Sequence, residues 1–150
     1  MEKLDRAIFT ALVAKSVEDR ATREAIFDLL EFARKHALKV VGGKNNKNFH
    51  YVIGTRSGSA MLFYCDSGGS VEMALGNFPH LGPAAVSRFV RKLGALSPGF
   101  KYILRFEDSR KKGGTRGFWI RETLVDPTIM KEFQAAILKL QDEIDLAVHS

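Results

Sequence analysis

The chain has few of the residues that would connect it to an oxidising compartment or to a membrane. Cys65 is its one cysteine, so no disulfide can form within the chain, and such low cysteine content is typical of a cytoplasmic protein. Residues 1–6 lack the basic start and apolar run of a signal peptide. No window approaches the roughly 18 consecutive apolar residues that a membrane-spanning helix needs. We therefore expect a cytoplasmic protein with no membrane partner.

The spacings that mark common catalytic and cofactor sites are also missing. The four histidines are scattered and match no metal-ligand spacing with Cys65. Residues 42–44 read Gly-Gly-Lys but lack the spacing of a phosphate-binding P-loop, and no Gly-x-Gly-x-x-Gly sequence follows a strand. The carboxylate pattern of a metal-dependent nuclease is absent as well. The sequence therefore favours a non-catalytic protein without cofactor or metal.

What is present indicates one folded domain. The chain has 150 residues, of which 45% are hydrophobic, enough to build a core. Neither a linker nor an internal repeat interrupts it, so we expect a single domain over residues 1–150.

Hydrophobic periodicity predicts four helices and five strands. Residues 4–15 form the first helix, and Ser16 caps a second that ends near His36. A third begins at Pro83, and a fourth begins at Asp126 and Pro127. The strands are predicted at 49–53, 60–65, 71–75, 100–106 and 118–121, the last two forming a hairpin. The order α-α-β-β-β-α-β-β-α predicts an α+β fold with a mainly antiparallel sheet and helices chiefly on one face.

Positive charge is concentrated in the middle of the chain. Residues 40–121 carry thirteen Lys or Arg against four Asp or Glu, whereas residues 122–150 carry two against six. A clustered positive field attracts polyanions, of which nucleic-acid backbones are the most common. This distribution indicates a protein that binds DNA or RNA.

The candidate contacts are the cations of Gly-rich turns, the cations of the predicted hairpin and the one tryptophan, which could stack on a base. They are Lys44, Lys47, Arg56, Lys101, Arg105, Arg110, Lys111, Lys112, Arg116, Trp119 and Arg121. Two alternatives stay open: the basic turns are solvated loops, and the tryptophan belongs to the core. Arg88, Arg91 and Lys92 share one face of the third helix, which could follow a phosphate backbone or simply face solvent.

The last helix carries an apolar seam at spacings of three and four residues, formed by Met130, Phe133, Ile137, Leu140 and Ile144. This seam could pair with a second copy or dock on another protein, or it could pack on the sheet of its own chain. In the first two cases the basic loops either keep the protein soluble or recognise an acidic protein partner. A homodimerisation or protein-interaction module is therefore the alternative function.

A third interpretation is a small-ligand binder or an enzyme whose site is assembled from residues distant in sequence. Its polar candidates lie in the strand-rich block and just beyond it: His50, Tyr51, Asp66, Glu72 and His80.

Overall fold

Five antiparallel strands form one sheet whose spatial order follows the chain. The computed structural model describes residues 2–56, 58–101 and 116–149. Its strands are β1 (Lys39–Gly42), β2 (Asn48–Thr55), β3 (Gly58–Asp66), β4 (Ser70–Met73) and β5 (Arg116–Trp119). Neighbours pair in the order β1-β2-β3-β4-β5, and every pairing is antiparallel. The predicted antiparallel sheet of five strands is confirmed.

The described residues also contain four α-helices, which are α1 (Arg6–Ser16), α2 (Arg20–His36), α3 (Pro83–Leu96) and α4 (Pro127–His149). The order α-α-β-β-β-β-α-β-α makes a single α+β domain, as predicted. None of these helices is both long enough and apolar enough to cross a membrane.

Aspartate side chains begin three of the helices. Asp5 accepts a hydrogen bond from the amide of Ile8 at 3.1 Å, and Asp19 accepts one from the amide of Thr22 at 2.9 Å. Asp126 accepts one from the amide of Thr128 at 2.9 Å, so the predicted start of the last helix is confirmed. The predicted cap of α2 is wrong, because Asp19 rather than Ser16 satisfies the free amides of its first turn.

Alternation along the strands separates two faces of the sheet. We call the face that joins the main core the inner face; it carries Phe49, Tyr51, Ile53, Phe63, Cys65, Val71, Met73 and Phe118. The opposite residues stay out of that core and form the outer face: Asn48, His50, Val52, Met61, Tyr64, Asp66, Ser70, Glu72 and Trp119.

Aromatic side chains join the inner face to the helices. Tyr51 stacks on Phe63 with ring centroids 4.9 Å apart, and Phe63 meets Phe133 of α4 at 6.1 Å. Tyr51 also stacks on Phe32 of α2, with ring centroids 5.8 Å apart. These contacts hold α2 and α4 against the same face of the sheet.

The apolar seam of α4 belongs to this core. Its five side chains are buried within the chain: Met130, Phe133, Ile137, Leu140 and Ile144. Of the two arrangements that the sequence allows, the structure has the one in which the seam packs on its own chain. These side chains are therefore not exposed for a second copy.

The strands differ from the prediction at both edges of the sheet. β1 was not predicted, and the partner of β5 among the described residues is β4. Phe100 ends a 3-10 turn, Pro98–Phe100, instead of beginning a strand, and residues 102–106 lie outside the described residues. Ile120 and Arg121 lie in a further 3-10 turn beyond β5, and Leu75 begins one after β4.

We predict that Tyr51→Phe lowers the free energy of unfolding by about 1 kcal/mol. The Tyr51 hydroxyl donates to Oε1 of Gln141 at 2.7 Å and so connects β2 to α4. Burial raises the pKa of Tyr51 to about 12, so this donor stays protonated at neutral pH. Urea unfolding of Tyr51→Phe, Gln141→Leu and the double variant measures the coupling. If the losses of unfolding free energy in the two single variants simply add up in the double variant, the hydrogen bond contributes nothing to stability.

We also predict that Cys65 resists alkylation until the protein unfolds. The thiol is fully buried, and burial raises its pKa, so almost no reactive thiolate is present. Mass spectrometry after exposure to iodoacetamide in increasing urea should show labelling that follows the unfolding transition. Rapid labelling in native buffer would contradict the buried position of the Cys65 thiol.

Candidate nucleic-acid interface

Asparagines and glycines shape the backbone of the loop from Gly42 to Asn48. Asn45 and Asn46 both have left-handed φ angles, 57° and 55°, which asparagine tolerates better than most residues. A Cβ atom on Gly43 would collide with the side chain of Asn48. The sequence of the loop therefore fixes its shape.

Hydrogen bonds tie this loop to its surroundings. Oδ1 of Asn46 accepts from the amide of Asp5 at 3.0 Å. The amide of Ser67, in the turn between β3 and β4, donates to the carbonyl of Lys47 at 2.8 Å. The loop and the 66–70 turn thus meet at one end of the sheet, which we call the loop end.

The loop end presents two cations. The side chains of Lys44 and Lys47 are exposed, and neither forms an ion pair with a described residue. Their charges are therefore not compensated by a described carboxylate, and a phosphate group could approach them from solvent.

The tryptophan lies at the same end of the sheet. Trp119 is the last residue of β5 and pairs with Ser70. Its side chain is 39% exposed, whereas its neighbour Phe118 is buried in the core. The guanidinium carbon of Arg121 lies 4.8 Å from the centre of the indole ring, a distance typical of a cation–π contact. An aromatic ring and a cation thus occupy one partly exposed position.

A second aromatic pair lies at the middle of the outer face. The rings of His50 and Tyr64, which face each other across β2 and β3, stack with centroids 5.6 Å apart. Both side chains are half-buried. The next residue in this row is Glu72 of β4, paired with Tyr64. Strand alternation predicts that His50 points outward. Tyr64 lies in a segment that reads as apolar on both faces, so alternation does not predict its direction.

A hydrogen bond selects one tautomer of the neutral His50 ring. Its Nε2 atom lies 2.8 Å from Oδ1 of Asn48. An amide oxygen only accepts, so Nε2 carries the proton and donates it. The other nitrogen, Nδ1, is buried without a hydrogen-bond partner in the described structure. Burial lowers the pKa of His50, because a proton on Nδ1 would have no acceptor there.

A row of polar side chains connects the loop to the tryptophan. Asn48 pairs with Asp66, and Ser70 follows in β4 before Trp119 in β5. Four adjacent strands about 4.8 Å apart place Trp119 roughly 14 Å from Asn48. Lys44, Lys47, Trp119 and Arg121 of the predicted contacts are therefore brought to the same end of the sheet.

The other predicted contacts are not all brought together. Arg56 lies at the turn between β2 and β3, about 23 Å of strand away from Asn48; we call this the hairpin end. Arg116 begins β5, three residues before Trp119. Lys101 is exposed just after the 3-10 turn at Phe100. Arg105, Arg110, Lys111 and Lys112 lie outside the described residues. One continuous strip of all the predicted cations is thus absent from the described part of the chain.

Two of the three cations on the basic face of α3 are compensated by α4, whereas Arg91 is exposed and forms no ion pair with a described residue. Arg88 pairs with Glu143 at 3.0 Å, and Lys92 pairs with Glu132 at 3.0 Å. These cations contact carboxylates of the same chain, so the described structure does not offer them as a free track for a phosphate backbone.

The polar residues of the third interpretation do not gather at one point. His50, Asp66 and Glu72 lie on the outer face, whereas Tyr51 is on the inner face. His80 lies at the hairpin end, beside a cavity. Within the described ranges, no three His, Cys, Asp or Glu side chains are placed to hold a metal ion.

No family model, no curated protein and no solved structure matches this chain. The site is therefore interpreted from its own geometry.

We predict that His50 makes the protein less stable as pH falls below about 6.5, the usual histidine pKa. The unfolded chain binds a proton there before the folded one does, so stability declines until His50 also protonates in the folded state. The free energy of unfolding of wild type should therefore fall more steeply between pH 7.5 and 5 than that of His50→Gln. His80→Gln controls for the loss of a histidine at an exposed position. Parallel curves for wild type and His50→Gln would exclude this role.

Proposed function

We propose that the protein binds single-stranded nucleic acid along the outer face of its sheet. The observation that carries this proposal is the exposed Trp119 with the Arg121 guanidinium over its ring, at the end of the sheet that also presents Lys44 and Lys47. Unpaired bases stack on aromatic rings and on guanidinium planes, and nearby cations hold their phosphates.

Two stacking positions support an extended strand rather than a single nucleotide. One is the Trp119–Arg121 pair at the loop end, and the other is the His50–Tyr64 pair at the middle of the sheet. The first offers an exposed ring, and the second offers two half-buried rings. In this arrangement bases lie over the strands while phosphates face the lysines of the loop.

Carboxylates on the same face fit bases better than phosphates. Asp66 and Glu72 lie on the outer face between the two aromatic pairs. A carboxylate repels a phosphate, but it accepts hydrogen bonds from the amino groups of cytosine, adenine and guanine. The proposal therefore places the backbone at the edge of the sheet, near Lys44 and Lys47, rather than across its centre.

The dimensions of the sheet favour a single strand over a duplex. Five strands about 4.8 Å apart make a surface roughly 19 Å wide, which exceeds the roughly 12 Å width of the major groove. An α-helix could enter that groove, but two of the three cations on the basic face of α3, Arg88 and Lys92, are paired with Glu143 and Glu132. Base stacking on the aromatic rings also requires unpaired bases.

We predict that Trp119→Ala weakens binding of a fluorescently labelled single-stranded oligonucleotide by about five- to a hundredfold, the usual range for one lost base stack. Anisotropy titrations with DNA and RNA of the same sequence, and with the matching DNA duplex, give the preference between them. The duplex should bind more weakly than either single strand.

The double variant Lys44→Gln and Lys47→Gln should reduce the slope of log affinity against log salt by about 1.4, because two phosphate contacts are removed. The double variant Lys131→Gln and Lys139→Gln, in which both lysines are exposed on α4, is the matched control and should keep the wild-type slope. Equal slopes for the two double variants, or full affinity in Trp119→Ala, would refute the proposed interface.

A further inference from the structure

A separate cavity lies at the hairpin end of the sheet, far from the proposed interface. It has a volume of about 250 Å³ and lies between the turn after β2, the segment that joins β4 to α3, and α4. Arg56, Asn77 and His80 are among its polar lining residues. The length of β2, about 23 Å, separates it from the loop end, so a ligand in this cavity would not occupy the outer-face site.

The described rim of this cavity carries an arginine and a histidine. Arg56 and His80 are both exposed, and neither makes an ion pair with a described residue. None of the described residues that line the cavity is acidic. The groove between α3 and α4 differs in this respect, because Glu132 and Glu143 line it together with its cations.

A fixed amide adds a neutral donor to the rim. Nδ2 of Asn77 donates to the carbonyl of Met61 at 2.9 Å, and the backbone amide of Asn77 donates to the carbonyl of Ala74 at 3.0 Å. These two bonds fix the side chain against β3 and leave its second N–H as a donor. A planar guanidinium and an amide together suit the oxygens of a carboxylate or a phosphate.

The cavity also has an apolar floor. Phe78 is 4% exposed, and Leu81 and Ile144 are 2% exposed, yet all three contribute to the lining. Small-molecule sites typically combine such apolar walls with a few convergent polar groups, in cavities of about 300–1,000 Å³. This cavity is slightly smaller than that range, so it suits a ligand with about one ring.

We propose that this cavity binds a small organic anion. Its carboxylate or phosphate group is held by Arg56, His80 and Asn77, and its apolar body covers Phe78 and Leu81. The inference is independent of nucleic-acid binding, because the two sites share no residue and lie at opposite ends of the sheet.

Nuclear magnetic resonance titration of the ¹⁵N-labelled protein tests this proposal with four probes: benzoate, phenyl phosphate, inorganic phosphate and benzyl alcohol. Benzoate or phenyl phosphate, or both, should shift the amide resonances of residues 55–60 and 77–81 to saturation. The tighter binder of these two shows whether the cavity prefers a carboxylate or a phosphate group. Benzyl alcohol lacks the charge and inorganic phosphate lacks the apolar body. Each should therefore bind at least about tenfold more weakly than the better anionic probe.

Variants locate the binding. Arg56→Gln should raise the dissociation constant of the better probe about tenfold. Arg91→Gln, which changes an exposed arginine of α3 outside the cavity, should leave it unchanged, and the spectrum of each variant reports its fold. The proposal fails if Arg56→Gln binds as wild type does, if benzyl alcohol binds as tightly as benzoate, or if the shifts spread to the amides of Lys44 and Lys47.

Discussion

Burial of alternate side chains on one face of the sheet is the constraint on which the rest of the structure depends. Tyr51 stacks between Phe32 of α2 and Phe63 of β3, and Phe63 in turn meets Phe133 of α4. Since side chains alternate along a strand, a slip of one residue would bring His50 into this stack and expose Tyr51. Burial of the inner-face side chains therefore directs His50 and its neighbours outward.

The two ends of the sheet carry different chemistry. One end carries an exposed indole and the two lysines of a glycine- and asparagine-rich loop, and at the other end Arg56 and His80 lie at the rim of a cavity with an apolar floor. Charges are screened over about 8 Å at physiological ionic strength, whereas β2 alone spans about 23 Å. Arg56 therefore contributes little to the field at Lys47, and a ligand at one end is not attracted by the cations of the other.

Local signals predicted the fold where local interactions decide it. Asp126 and Pro127 begin α4 because a cap and a fixed φ angle act within one turn. β1 was missed because its four residues, Lys39–Gly42, show no clear alternation and are ordered by pairing with β2. For Trp119, alternation indicated the outward direction correctly, but the neighbouring strand is β4, more than forty residues earlier in the chain. Only tertiary packing determines such a pairing.

The same limit applies to the site, because a count of charges along a sequence does not say which cations reach a ligand. The spacing that buries Leu140 and Ile144 also places Glu143 beside α3, where it pairs with Arg88. Core packing thus uses part of the acidic C-terminal segment to compensate helix cations. Lys44 and Lys47 lie on a loop whose shape is set by glycines and asparagines, away from that helix. Lys44 and Lys47 therefore stay available while Arg88 does not, and a charge pattern alone could not have separated them.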